Sequence, residues 1–313
     1  MGRKAIFSIS LTVLILSTLF SSRLFSEQAT VRTIERGDTV SFLSIKIYGF
    51  YNEEIAMLIK EANPGIKDLN RITVGQRLVF PVYNPNDKNK PYCIKTSASC
   101  AVITYLSGKA TLKKKFKDEW KYLNPNDLLM PGDVIRTGND GIVELVVNNT
   151  DVMRLSSNTE LTIEEAKLVN EQPEAKVKFS VGKVWAKIKS YVERSGKFEL
   201  GFPTAVAAVQ GTVYQAELAA DSSATVKVYN GEVKVAGKGQ DNGGANSPRR
   251  LGPPKQVSGP KQVSMMDWVR IVREMQKISF GPGQPPGEPE DFTDAPGEWE
   301  KFNRERDIKF ESQ

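Results

Sequence analysis

VRTIERGDTVSFLSIKIYGFYNEEIAMLIKEANPGIKDLNRITVGQRLVFP, Val31 to Pro81, decides the first fold unit of this chain. Its order is strand, Gly-Asp-Thr turn, short helix, second helix, Asn-Pro-Gly turn, Gly-Gln turn and strand. Val40, Leu43 and Ile47 fall at helical spacing and give a first helix one apolar face. Ile55, Leu58, Ile59 and Ala62 do the same for a second. Asp38 or Thr39 can cap the first helix, because a short polar side chain accepts the free backbone N–H groups there. Asn63-Pro64-Gly65 ends the second: the residue before proline avoids the α region, and glycine tolerates positive φ. Leu78 and Phe80 alternate with Arg77 and Val79, as in a strand with one covered face. These patterns predict a small α+β unit, βααβ, over residues 27–82. A core of roughly 50 residues is only marginally stable alone.

The combination Gly37-Asp38-Thr39, Tyr48-Gly49, Asn63-Pro64-Gly65, Ile72 and Gly75-Gln76-Arg77-Leu78 with Pro81 resembles the LysM family over the whole segment. The resemblance implies binding of peptidoglycan or chitin-like glycans containing N-acetylglucosamine. It places the glycan between two loops: Gly37, Asp38, Thr39 and Val40 on one side, Ala62, Asn63, Pro64, Gly65 and Ile66 on the other. Arg32 stands where the family often has an aromatic residue. The same loop residues also suit purely structural roles, as helix cap and turn.

The chain has 313 residues, enough for more than one domain. It opens on Met1-Gly2-Arg3-Lys4 and continues without charge from Ala5 to Ser22, the layout of a secretory signal. The apolar run is also just long enough to span a bilayer. Residues 1–26 therefore read as a signal peptide, with an uncleaved inner-membrane anchor as the alternative. Both export the rest of the chain to the periplasm or cell envelope. Cys93 and Cys100, the two cysteines, suit a small disulfide loop in an oxidising compartment. They fall in a polar, proline-flanked linker, residues 83–100.

The absence of histidine excludes Ser-His-Asp and Cys-His chemistry. It also leaves two thiolates short of a zinc shell. No acidic residue is framed by a catalytic motif, and Glu164-Glu165 and Glu288-Pro289-Glu290-Asp291 read as solvated surface. The expectation is a non-enzyme with no metal and no cofactor.

From Ala101 onward, short β-branched runs recur between Gly, Asn, Asp and Pro turns. Ala101–Leu106, Asp133–Arg136, Ile142–Val147, Val152–Leu155, Glu160–Ile163, Lys176–Phe179, Lys183–Ile188, Lys197–Leu200, Thr212–Glu217 and Thr225–Tyr229 predict an all-β domain over residues 101–237. Asn230-Gly231 between two alternating runs predicts a two-residue hairpin. Three pieces carry a second resemblance: Pro131 to Gly138, which contains Gly-Asp-x-Ile-x-Thr-Gly; Pro203 to Tyr214; and Tyr229 to Val233. Together they look like the FecR-type extracytoplasmic domain, with Gln210 where arginine is usual before Gly-Thr. The resemblance implies a twisted roll or solenoid-like stack of short strands and a role in contacting an envelope protein. The motif glycines read as tight turns and the Asp and Thr as local backbone partners. Met1 to Lys4 is too short to be a sigma-binding cytosolic domain.

Residues 238–264 are poor in apolar side chains and repeat Pro-Lys-Gln-Val-Ser, which reads as a linker or long loop. Trp268, Ile271, Val272 and Met275 predict a short amphipathic helix at the head of a C-terminal segment, residues 265–313. Residues 281–298 read as mobile, and Trp299, Phe302 and Ile308 as the anchors of a last helix. The net charge of +6 and pI near 9.1 suit anionic envelope polymers or lipid headgroups, while export argues against nucleic acid. The reading that unites these features is a multidomain, non-catalytic envelope protein. Its LysM-like unit holds peptidoglycan and its FecR-type domain engages a partner. A membrane-anchored sensor or regulator of FecR type is the alternative, and a cell-wall enzyme a third.

Overall fold

Thr39 lies in extended backbone, accepts a hydrogen bond from Phe42 N at 3.1 Å and starts helix α1, Val40–Tyr48. Gly49, at φ 80°, ends it. Asn52 caps α2, Glu53–Ala62, by accepting from Ile55 N at 2.9 Å. Glu53 and Glu54 complement the positive end of the same helix. Strands β1, Thr30–Thr33, and β2, Arg77–Phe80, pair antiparallel with Thr30 opposite Phe80. Val40, Ile55, Ile59, Leu78 and Phe80 fill the space between sheet and helices, so the βααβ order expected from the sequence is present. The computed structural model describes residues 29–84, 101–169, 172–189, 197–238 and 269–312. The segment read as a signal peptide, the expected Cys93–Cys100 pairing and the repeated Pro-Lys-Gln-Val-Ser lie outside these residues.

The rest is β-rich. The strands are β3 (Ala101–Ser107), β4 (Ala110–Lys113), β5 (Trp120–Tyr122), β6 (Leu128–Leu129), β7 (Val134–Thr137), β8 (Ile142–Val147) and β9 (Asp151–Leu155). They continue as β10 (Glu160–Val169), β11 (Gln172–Lys187), β12 (Lys197–Gly201), β13 (Ala205–Leu218), β14 (Ala224–Gly237), β15 (Val269–Arg273), β16 (Gln276–Phe280) and β17 (Glu290–Asp291). Helix α3, Glu298–Glu311, follows. All fifteen belong to one branched sheet, antiparallel except where β11 meets β12.

Three long strands turn the sheet into a roll, each bent at a glycine where it changes neighbours. β11 runs beside β10 and β12 up to Gly182 (φ 107°), then beside β9 and β13. β13 pairs with β12 before Gly211 (φ 62°) and with β11 after it. β14 pairs with β16 before Gly231 (φ 84°) and with β15 after it. A bulge at a left-handed residue sharpens the local twist and lets one strand serve two sheet faces. The runs Lys176–Phe179 and Lys183–Ile188, expected as two strands, are therefore one strand, β11.

The same logic corrects two further expectations. Asn230-Gly231 does not close a hairpin. A tight type I′ turn needs positive φ at both residues; only Gly231 has it, and β14 continues through the pair as a bulge opposite Gly211-Thr212. The helix expected at Ile271, Val272 and Met275 is strand: β15 and β16 run in sequence along one edge of β14, kinked at Met275 (φ 60°). The open edge of β14 outweighs a helical spacing written partly in β-branched residues. Trp268, which that expectation also used, lies outside the described residues. The segment 281–298, expected to be mobile, makes defined contacts with the sheet. Gly287 N donates to Ser279 O at 3.0 Å, Phe292 N donates to Met275 O at 3.0 Å, and the Phe292 ring packs edge-on against Tyr229.

One sheet corner is buried on both faces. Ala101, Ile103, Val143, Leu145, Met153 and Leu155 point into the roll. Their alternates Val102, Val146 and Val152 join the core of the βααβ unit. The two units thus share the sheet β3–β8–β9, and α3 lies across their junction.

Candidate functional site

The first loop of the expected groove faces the β domain. Thr39 Oγ1 donates to Thr104 O at 2.8 Å, and Ser41 Oγ donates to Ile103 O at 2.7 Å. Gly37 O accepts from Arg306 Nη1 at 2.9 Å, and a Cβ on Gly37 would lie 3.0 Å from that nitrogen. Asp38 closes the loop by accepting from Glu35 N at 2.9 Å and forms an ion pair with Lys309 at 2.9 Å. Val40 is fully buried.

The second loop divides. Asn63 is buried and satisfies backbone: Nδ2 donates to Ile59 O and Val79 O, both at 2.7 Å, while Oδ1 accepts from Val79 N at 2.9 Å. It therefore ties the end of α2 to β2. Ile66 is core and Ala62 half-buried. Pro64 and Gly65 are exposed, with open space above Gly65.

Next to the two loops in the chain, at Ser41 and at Leu69-Asn70, the unit is held by a residue that sequence reasoning missed. Asn126 belongs to the β domain and sits at φ 69° in the turn before β6. Its Oδ1 accepts from Ser41 N at 2.8 Å, and its Nδ2 donates to Leu69 O at 3.2 Å and Asn70 Oδ1 at 2.8 Å. The amide thus bridges the start of α1 and the loop before β2. Its neighbour Asp127 is half-buried; burial raises its carboxyl above the ordinary range, although hydrogen bonds from Asn124 and the Lys114 charge oppose this. Tyr51 is buried beside it, and burial, then the Asp127 charge, pushes its hydroxyl upward.

Helix α3 fastens the junction. Glu144 on β8 and Arg154 on β9 are fully buried and joined at 2.6 Å. Arg154 also meets Asp307 at 2.6 Å, and Asp307 accepts from Trp185 Nε1 at 3.1 Å. Arg306 donates to Glu144 from the other side. Its guanidinium lies between the rings of Phe42, at 4.9 Å, and Tyr105, at 4.7 Å, one from each unit. Burial alone would raise the Glu144 carboxyl, but the Arg154 and Arg306 guanidiniums outweigh it and hold it below its ordinary value. Phe310 packs edge-on against Phe42 at 5.6 Å, and Lys309 reaches Glu35 and Arg36 O. The readable signal was a lone Glu inside IVELVV and a lone Arg inside VMRL, charges that a buried strand retains only when paired.

The β-domain motif residues serve the backbone. Asp133 accepts from Met130 N, Lys115 N and Lys114 Nζ at 2.9, 3.0 and 2.8 Å. Thr212 Oγ1 donates to Glu232 O at 2.8 Å across the paired bulges. Among the described residues no three or more acidic or cysteine side chains gather as a metal shell, and no helix is long and apolar enough to cross a membrane.

A comparison with curated proteins finds no match. The family described as FecR protein matches residues 133–234, from the Gly-Asp turn through most of β14, and leaves the strands before Asp133 outside the matched stretch. The roll of this chain therefore contains a FecR domain.

Proposed function

We propose that this chain is a non-catalytic, exported sensor or regulator of FecR type. In this reading the βααβ unit is a LysM-like reader of N-acetylglucosamine glycan, and the β domain passes its state to an envelope partner. The observation that carries the reading is the position of Asn126. Its amide binds Ser41 N, the residue after the first loop that the LysM resemblance assigns to glycan, and Leu69 O and Asn70 Oδ1, a few residues after the second. In the first loop itself Thr39 is engaged by the β domain and Gly37 by α3, so a glycan there would compete with the junction held by α3. A ligand shifts such an equilibrium only through its preference for one state, and here that preference is steric.

Co-sedimentation with purified peptidoglycan sacculi tests this. The proteins are the chain from Glu27 onward, an Asn126→Ala variant and a Gly65→Trp variant. Gly65 has open space above it, so a large side chain there obstructs the groove without disturbing the core. Binding should strengthen in Asn126→Ala and weaken in Gly65→Trp. Absence of binding by both the unaltered chain and Asn126→Ala overturns the glycan reading and leaves the FecR-type contact role alone.

A further inference from the structure

The hairpin of β4 and β5 projects a side chain that the fold does not use. Phe116 is 94% exposed and takes φ 62°, a left-handed conformation that bulky L-residues rarely adopt. Its position is fixed from below. Asp133, whose side chain is only 2% exposed, accepts from Lys115 N and pairs with Lys114. A Cβ on Gly132 would lie 2.4 Å from Cδ of Lys115, so the lysine stem lies directly on that glycine. The Gly-Asp turn of the β domain thus serves as the footing of an exposed phenyl ring.

Charge surrounds the ring. Residues 113–122 hold five lysines against two acids, Asp118 and Glu119. Lys114 is taken by Asp133, and Lys121 lies 3.7 Å from Glu119. Lys115 and Lys117 are exposed and remain for a partner, with Lys115 4.9 Å from the Phe116 ring centre. Tyr122, 74% exposed, adds a second aromatic group on the same hairpin.

Exposed lysines flanking a protruding hydrophobe in the chain fit two anionic surfaces, a polymer and a bilayer, and the phenyl ring separates them. A soluble polyanion offers Phe116 no apolar environment, whereas the boundary between headgroups and acyl chains does. Stacking of a sugar is also disfavoured, because Arg136 at 4.4 Å and Lys113 at 5.6 Å already attend the Trp120 ring. We propose that the β4–β5 hairpin docks on an anionic lipid bilayer, with Phe116 as the inserting wedge and Lys115 and Lys117 as headgroup contacts. This is independent of glycan binding, which rests on different residues.

The test is co-sedimentation of the chain from Glu27 onward with phosphatidylcholine vesicles, with and without phosphatidylglycerol. Binding should require phosphatidylglycerol and disappear at about 1 M salt, where the Debye length is about 3 Å. Phe116→Ser should weaken partition by about tenfold or more, the effect of withholding one large apolar side chain. Lys117→Glu should weaken it too, and both variants should keep the unaltered circular dichroism, since both side chains are exposed. Phe116→Trp should show a blue-shifted emission on vesicles that the unaltered chain lacks. Failure to bind phosphatidylglycerol vesicles overturns the proposal. So does binding that Phe116→Ser leaves unchanged, which would mark a purely electrostatic contact with any polyanion.

Discussion

Glu144 and Arg306 stand 162 residues apart in the chain and meet in a site closed to solvent, where the guanidinium also touches one ring from each unit. Removing Arg306 leaves Glu144 buried with Arg154 as its remaining partner at 2.6 Å, so the cost should fall below the value of about 3–5 kcal/mol typical of an uncompensated buried charge. Arg306→Ala should therefore release α3 and expose α1. Hydrogen exchange should rise across Val40–Tyr48, and denaturation should separate the βααβ unit from the roll. Arg304→Ala breaks the partly exposed pair with Asp294 and a contact with the Tyr229 ring at 5.5 Å, and should change stability by about 1 kcal/mol or less.

Acid should open the same junction. The Glu144 carboxyl is held below its ordinary 4.5 in the folded state, burial being outweighed by the two guanidiniums. Its contribution is therefore complete above the unfolded value and lost as pH falls through the folded one. Exchange of the α1 amides should increase below about pH 4.5. Glu144→Gln should abolish that acid step while lowering stability at neutral pH.

Asp151 should act in the opposite direction. Burial raises its carboxyl from 3.8 to about 7, with the Lys189 backbone N–H and charge offsetting only part. The folded state keeps a proton that the unfolded chain releases, so stability falls as pH rises from 3.8 towards 7. Asp151→Asn keeps an oxygen to accept from Lys189 N and removes the titration. At about 1.4 kcal/mol per pH unit of difference, the variant should gain a few kcal/mol at slightly alkaline pH. It should match the unaltered chain near pH 4, as urea titrations at the two pH values would read.

The sequence stretches that proved legible were those whose environment is local. Val40, Leu43, Ile55 and Ile59 needed only one covered face, and their helices lie where the spacing puts them. The strands β3, β8 and β9 were found, but their second buried face was not. Val102, Val146 and Val152 broke strict alternation, a mark of burial on both sides, yet the cover arrives from two distant segments. Thr39 and Asn63 were read both as groove and as cap, and their bonds go to backbone. Asn126 gave no signal beyond a Pro-Asn turn, because its role depends on three groups brought together only by docking. Asn230-Gly231 failed for a similar reason: the dipeptide permits a hairpin, but the opposed bulge at Gly211 decides between hairpin and continued strand.

That opposed bulge makes the sharpest stability prediction. Gly231 sits at φ 84°, and a Cβ there would lie 2.5 Å from Gly211 O and 2.9 Å from Thr212 Oγ1. A backbone oxygen inside a paired strand cannot retreat as a flexible side chain can. The left-handed conformation alone costs an L-residue about 1–2 kcal/mol. Gly231→Ala must also part β13 from β14 where Thr212 donates to Glu232 O. The loss should exceed about 2 kcal/mol, which at about 2–4 °C per kcal/mol for a domain of this size lowers Tm by at least about 4 °C. Gly65→Ala, with nothing within 4 Å of the new atom, should stay within about 0.5 kcal/mol of the unaltered chain. Equal melting of the two variants would mean that β13 and β14 do not interlock at their glycines.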